Sequence, residues 1–153
     1  MGCKLKKITL YTDGACSGNP GKGGWAAILN YKNHEKVLSG GENQTTNNRM
    51  ELMAVIAGLQ ALKERCRVDI YSDSAYVVNA FLQGWTANWL ENNWKTASNK
   101  QVQNVDLWQQ LITLAAKHEI SWNKVKGHAD NELNNRCDKI ARDEIEKLNK
   151  KDA

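Results

Sequence analysis

Between Thr45 and Leu62 the chain reads TTNNRMELMAVIAGLQAL, and Leu52, Val55, Ile56, Leu59 and Leu62 recur at steps of three and four. That spacing predicts a helix with one apolar stripe laid on a core. Glu51 lies beside the stripe: at about 100° per residue it shares a face with Val55 and Gly58, so its carboxylate is carried towards the protein. A second signal competes at the same place, because Asn48-Arg49-Met50-Glu51 has the spacing of a capping box, with Glu51 reaching back to the cap's own N–H. Both readings of Glu51 stand at this level.

The remaining pattern places strands and helices around that segment. Lys6 to Asp13, KKITLYTD, alternates as a strand does and ends at Asp13-Gly14. After the turn-rich GACSGNPGKGG, Trp25 to Tyr31 and Glu35 to Gly41 read as two more strands, joined near Asn33-His34 into an antiparallel meander. Arg67 to Ser72 is a strand that needs a crossover from the meander and so lies parallel to the first. Ser74 to Leu82 is helical in pattern, and beyond Gly84 comes a segment holding Trp85, Trp89, Leu90 and Trp94, up to Lys100. Val105 to Lys117 is a second amphipathic helix, Glu119 to Val125 a last strand, and Asn131 to Leu148 a closing helix. This order predicts an α/β domain, a mixed sheet with helices on its faces. No internal repeat, low-complexity tract or linker divides the chain, so residues 1–153 are expected to form a single domain.

Composition narrows the class without naming a function. A chain of 153 residues buries a core without staples, and 25% charged with 41% hydrophobic residues is ordinary for a water-soluble globule. No apolar run approaches the roughly 20 residues that span a bilayer, and no charged n-region followed by an apolar h-region is seen at the start, so neither a membrane span nor secretion is expected. Met1-Gly2-Cys3 lacks the Ser or Thr of a myristoylation signal, having Lys6 in its place. Cys3, Cys16, Cys66 and Cys137 are far apart, with no zinc-type spacing, which fits reduced thiols in a cytoplasmic setting; a small buried thiol is the expected role of each. The net charge of +4 permits a polyanionic partner without demanding one.

The acids at the ends of the elements change that picture. Asp13 ends the first strand, Asp73 ends the Arg67 to Ser72 strand, Glu51 lies on the helix between them, and Asp138 sits beside the apolar stripe of the closing helix. Each has an ordinary explanation: Asp13 as a turn residue before Gly14, Asp73 as a helix cap, Asp138 as the partner of Arg142 one turn on. Gathered in one pocket, however, carboxylates repel unless cations neutralise them, and oxygen donors without His or Cys select Mg²⁺ or Mn²⁺ over zinc. Two such ions about 3.5 to 4 Å apart activate water and stabilise the leaving oxygen of a phosphodiester. GNPGKGG is not a phosphate-cradling loop, since Lys22 is followed by Gly23 and the span is too short.

TDGACSGNPG around Asp13, TTNNRMELMA around Glu51, YSDSAYV around Asp73, WKTA and NVDLW in the middle, VKGHA around His128 and NRCDKIAR around Asp138 form an ordered set. In this set the chain resembles the type 1 ribonucleases H, close to the bacterial enzymes, over nearly its whole length. The resemblance implies a five-stranded mixed sheet, an antiparallel meander plus two parallel strands, and Mg²⁺-dependent cutting of the RNA strand of RNA/DNA hybrids with 3′-hydroxyl and 5′-phosphate ends. It implies that Asp13 bridges two ions, that Glu51 and Asp73 complete one site and Asp138 the other, and that Mn²⁺ can substitute. It further implies that Glu51 meets the 2′-hydroxyl beside the scissile phosphate, that His128 assists proton transfer or product departure, and that the protein is a monomer.

By the same resemblance, Asn19, Asn47 and Asn48 match positions that touch the minor groove, where amides both donate and accept and only RNA offers a 2′-hydroxyl. Turn or cap chemistry is the plain alternative for all three. Thr46 and Asn104 match a pocket for a DNA-strand phosphate; Trp85 and Trp89 match aromatics of the DNA groove, within a protrusion spanning 84–104. Packing is the plainer reading of Trp25, Trp94, Trp108 and Trp122. Two departures stand out. Asn135 occupies a position three before Asp138 where bacterial relatives commonly have Glu, and residues 84–104 hold only Lys95 and Lys100 against Glu91. The second departure predicts weak phosphate neutralisation and a shallow salt dependence of hybrid binding. Two other readings remain open, a non-catalytic hybrid-binding module and a DNA-cutting nuclease or integrase of the same architecture.

Overall fold

The computed structural model describes residues 5–125 and 132–152. His128 and Cys3 lie outside them. Five strands, β1 (Lys6–Cys16), β2 (Gly21–Tyr31), β3 (His34–Thr45), β4 (Cys66–Ser72) and β5 (Glu119–Lys124), form one sheet in the order β3-β2-β1-β4-β5. The first three make the expected antiparallel meander, and β4 and β5 add in parallel beside β1. The helices are α1 (Asn47–Gln60), α2 (Ala75–Leu82), α3 (Trp85–Glu91), α4 (Val105–Ala115) and α5 (Glu132–Asp152).

The faces of the sheet separate by strand alternation. On β2, Ala27 and Leu29 join Leu10, Leu52, Val55 and Leu59 on the α1 side. Ala26 and Ile28 instead meet Cys137 and Ala141 of α5. A strand buried on both faces loses the polar half of its alternation, which is why Ala26-Ala27-Ile28-Leu29 is a continuous apolar run. The stripe predicted for α1 is the stripe observed: Leu52, Val55, Ile56 and Leu59 are all buried, and Leu62 packs at its edge.

The meander strands extend further than their hydrophobic pattern. β1 runs on to Cys16 because Ala15 and Cys16 pair with Gly24 and Gly23, residues that carry no side-chain signal. Gly24 has a second duty, since a Cβ there would lie 2.0 Å from the Ala141 carbonyl oxygen. Its bare backbone lets α5 lie down on the sheet.

Two caps differ from the sequence reading. Thr46, not Asn48, begins α1: its Oγ1 accepts from the Arg49 N–H at 3.3 Å. Glu51 is then the fifth residue of the helix, beyond the reach of a capping box. Ser74, not Asp73, caps α2 by accepting from the Val77 N–H at 3.3 Å. The ordinary explanations of Glu51 and Asp73 therefore fall away, and both carboxylates are left for other work.

The tryptophans divide by burial. Trp108 is fully buried, edge-on to Tyr76 and Trp89 with centroids at 5.3 and 5.1 Å. Trp94 packs against the same core, and Trp122 stacks on Phe81 at 4.2 Å. The ring of Trp25 lies over Gly40, across the sheet. Trp85 and Leu90, on α3, are exposed. The thiols of Cys66 and Cys137 are buried as expected, whereas Cys16 is only half-buried and donates towards the Thr45 carbonyl at 3.4 Å.

Candidate active site

The site is built where two parallel strands part. The β1–β4 ladder runs in register from Lys6 opposite Cys66 to Tyr11 opposite Tyr71, whose rings stack at 5.1 Å. Past that rung β4 stops at Ser72, while β1 continues paired to β2 alone. Asp13 and Asp73 each stand two residues beyond the last rung, on the two lips of the opening. Ligand sites in open α/β sheets form at such carboxyl ends.

Glu51 enters from α1 because Gly14 lets the helix approach. A Cβ on Gly14 would lie 2.5 Å from both the Glu51 nitrogen and the Met50 carbonyl carbon, a distance no side chain tolerates. The Gly14 N–H donates to Asp13 Oδ1 at 2.9 Å and also steadies the Glu51 carboxylate. Asp13, Glu51 and Asp73 each place a carboxylate oxygen within 4.8 Å of the others. Asp138 of α5 lines the same cavity of about 480 Å³, together with Cys16, Asn47, Asn48, Ser74 and Tyr76. Its Oδ2 accepts from Arg142 Nη2 at 2.9 Å, the pairing expected one turn along the helix.

Crowding buried acids raises the cost of their charges. Asp13 is pushed up to about 8, first by burial and then by the charges of Asp73 and Asp138. Glu51 is raised well above the usual carboxylate range, again by burial first, then by Asp13 and Asp73. Its Oε1 is buried with no hydrogen-bond partner. Mutually repelling carboxylates, one with an unused buried oxygen, and no nitrogen or sulfur donor among them fit a hard divalent cation.

A second constellation lies beside the cavity. Asn104, left-handed at φ 60°, precedes α4; its Oδ1 accepts from Arg49 Nη1 at 3.2 Å and its Nδ2 donates to the Tyr76 hydroxyl at 3.1 Å. Arg49 also grips Asp106 with two bonds of 3.0 and 2.8 Å, holding that carboxyl below its ordinary range. Because the Arg49 backbone N–H is bound by Thr46, this one residue ties Thr46 to Asn104. Trp108 Nε1 completes the network on the Tyr76 hydroxyl at 2.9 Å.

Of the remaining sequence candidates, Asn19 accepts from the Asn47 N–H at 3.4 Å and so stands at the start of α1. Trp85 and Trp89 sit on α3, the first exposed and the second half-buried against Trp94 and Trp108. Sequence reading missed Arg49, Tyr76 and Asn134. Asn134 Nδ2 reaches the carbonyls of Thr12 and Tyr71, both at 3.5 Å, which pins the start of α5 across the parting strands. Arg49 carried no local signal, since Asp106 is 57 residues away.

Fold and acid cluster together define an α/β domain with a candidate cation cradle at the carboxyl ends of its strands. The family model for RNase H matches residues 5–146, and the chain belongs to the ribonuclease H family. It is 63% identical over 147 residues to a ribonuclease H of Acetivibrio thermocellus, covering 96% of this chain and all of the relative. Among solved structures it resembles LC9-RNase H1, a type 1 RNase H with the type 2 active-site motif, at a TM-score of 0.83 and 28% identity, over 94% of this chain and 74% of that one. It shares its fold with LC11-RNase H1, solved in complex with an RNA/DNA hybrid, at a TM-score of 0.64 and 21% identity, over 92% and 98% of the two chains.

Proposed function

We propose that the protein is an endonuclease that hydrolyses the RNA strand of RNA/DNA hybrids with Mg²⁺, leaving 3′-hydroxyl and 5′-phosphate ends. The observation that carries this reading is the convergence of Asp13, Glu51 and Asp73 within 4.8 Å, with Asp138 on the same cavity. Asp13 would be shared between two cation positions, Glu51 and Asp73 completing one and Asp138 the other, and Mn²⁺ has the same donor preference. When bound, the cations supply Lewis-acid polarisation of the phosphate and a more acidic attacking water.

The chain's own groups do the rest. Asn47 and Asn48 line the cavity and Asn19 accepts from the Asn47 N–H; their amides, able both to donate and to accept, would read the 2′-hydroxyl that distinguishes RNA from DNA. Glu51, which lines the same cavity, would meet that hydroxyl. Thr46 and Asn104, fastened by Arg49, would hold a phosphate of the DNA strand, and Trp85 and Trp89 in the 84–104 protrusion would line its groove. Water attacks phosphorus in line, the P–O3′ bond breaks, and the departing 3′ oxygen takes a proton. His128 would move that proton or speed product departure.

We extend the reading to one domain acting as a monomer. The buried, unpaired thiols of Cys66 and Cys137 suit a reducing, cytoplasmic setting, and no helix among the described residues is long and apolar enough to cross a membrane.

The test is cleavage of labelled RNA/DNA hybrid, duplex DNA and duplex RNA, each with Mg²⁺ or chelator. Cutting of the hybrid alone, lost with chelator and in Asp13→Asn, is expected. Binding without cutting would instead indicate a non-catalytic module, and cutting of duplex DNA a different nuclease. His128→Ala is expected to lower turnover with hybrid binding nearly intact; an unchanged kcat removes His128 from the reaction.

A further inference from the structure

Asp138 differs from its three neighbours in one respect. Among the described residues it is the one acid of the four held in an ion pair, Arg142 Nη2 lying 2.9 Å from its Oδ2. The tight cluster of Asp13, Glu51 and Asp73 does not include it, although its carboxyl comes within hydrogen-bonding reach of Asp13. One of its oxygens, Oδ2, is therefore engaged by a guanidinium of α5.

Arg142 is well placed to let go. Its side chain is 65% exposed, against 27% for Asp138, so it can swing into water without stranding a buried charge. A pair of this kind, exposed and one helical turn apart, is weak, and so it can be displaced by a divalent cation. Lys139, one residue further along the same helix, is turned elsewhere and pairs with Asp143 at 3.5 Å. The contact with Asp138 thus belongs to Arg142 specifically.

Resting on the metal-dependent reading above, we propose that Arg142 is a built-in counter-ion that a divalent cation must displace from Asp138, so that it sets the cation concentration at which the Asp138 position fills. Arg142 is a positioning residue, since it acts through Asp138 and not on substrate. While paired it occupies Oδ2 and repels an incoming dication. Once released, it leaves Asp138 Oδ2 free for the cation. A weak second cation position, filled late in a titration, is the consequence.

The test compares wild type, Arg142→Gln, Arg142→Lys and Lys139→Gln. Mn²⁺ is titrated by electron paramagnetic resonance, with protein alone and with a non-cleavable 2′-O-methyl RNA/DNA hybrid, beside the Mg²⁺ dependence of cleavage. The expected result is that Arg142→Gln fills the weaker Mn²⁺ position, the one lost in Asp138→Asn, at about two- to fivefold lower concentration, the scale set by an exposed pair. Arg142→Lys should fall between, and Lys139→Gln should match wild type. The proposal is overturned if Arg142→Gln matches wild type or binds more weakly, or if Lys139→Gln gives the same gain, which would make net charge the cause. A wild type that binds no Mn²⁺ and cuts no hybrid overturns the nuclease reading itself; one that does both while Arg142→Gln coincides with it overturns only the role of Arg142. Thermal melts of the metal-free variants separate these shifts from loss of folding.

Discussion

Asp13 and Asp73 face each other two residues past the last rung of the β1–β4 ladder, where Tyr11 pairs with Tyr71. Had β4 continued, the register would have set them side by side in a parallel sheet. Because it stops, they flank an opening and share it with Glu51.

Removing the Asp13 charge should cost activity and raise stability. Asp13→Asn is expected to lower hybrid cleavage by at least about 10³-fold, the scale of several kcal/mol of cation-supplied stabilisation. The same change removes a carboxyl that folding must either bury charged or protonate at a cost, so the metal-free protein should gain about 1–3 kcal/mol at neutral pH. Urea unfolding in chelator, beside single-turnover cleavage, checks both; a destabilised Asp13→Asn would contradict the electrostatic account.

The sign of the pH dependence follows from the same group. Asp13 titrates from 3.8 to about 8 on folding, so the folded state holds its proton over a range where the unfolded chain has lost it. Stability from this source is complete below about pH 4 and is lost as pH rises towards 8, with Glu51 adding in the same direction. The gap between wild type and Asp13→Asn in chelator should widen between pH 5 and pH 8.5 on unfolding curves, and Mg²⁺ should narrow it.

Gly14→Ala tests the approach of α1 to β1. Its Cβ would meet backbone at 2.5 Å, so the helix start must move, at about 1–3 kcal/mol of stability. Glu51 moves with it, and cleavage should fall more than tenfold even where the protein remains folded by circular dichroism.

Trp85 and Trp89 should separate binding from packing. Trp85→Ala, on an exposed ring, is expected to change stability by less than about 0.5 kcal/mol while raising the hybrid Kd. Trp89→Ala removes an edge contact with buried Trp108 and should cost about 2–4 kcal/mol in thermal or urea melts. Equal stability losses would show that both rings are structural.

Arg49→Ala should loosen the link between Thr46 and Asn104. An increase of several-fold in KM with little change in kcat is expected, the pattern of an interaction equal in ground and transition states. A loss confined to kcat would place Arg49 in the chemistry instead.

Much of this was legible in the sequence because periodicity is local. The α1 stripe, the alternation of β1 and the closing helix with Asp138 were all readable from neighbours a few residues apart, and the order of acid-bearing segments carried the family resemblance. Cap assignments were less secure: Thr46 and Asn48 are both good N-caps, and only the backbone path shows that Thr46 has the extended conformation with its hydroxyl on the Arg49 N–H. Glycine-rich stretches were read as turn where Gly23 and Gly24 are in fact paired strand, since a residue without a side chain leaves no alternation to read.

The sequence by itself determined which acids exist and which element ends carry them. Tertiary structure decided their company. That Asp13 and Asp73 flank one opening depends on where the β1–β4 pairing stops. That Glu51 joins them depends on a helix drawn close over Gly14, and that Asp138 lines the same cavity depends on how α5 lies across the sheet. Such contacts arise between residues tens of positions apart, set by the distance at which elements pack, and no local pattern encodes that distance.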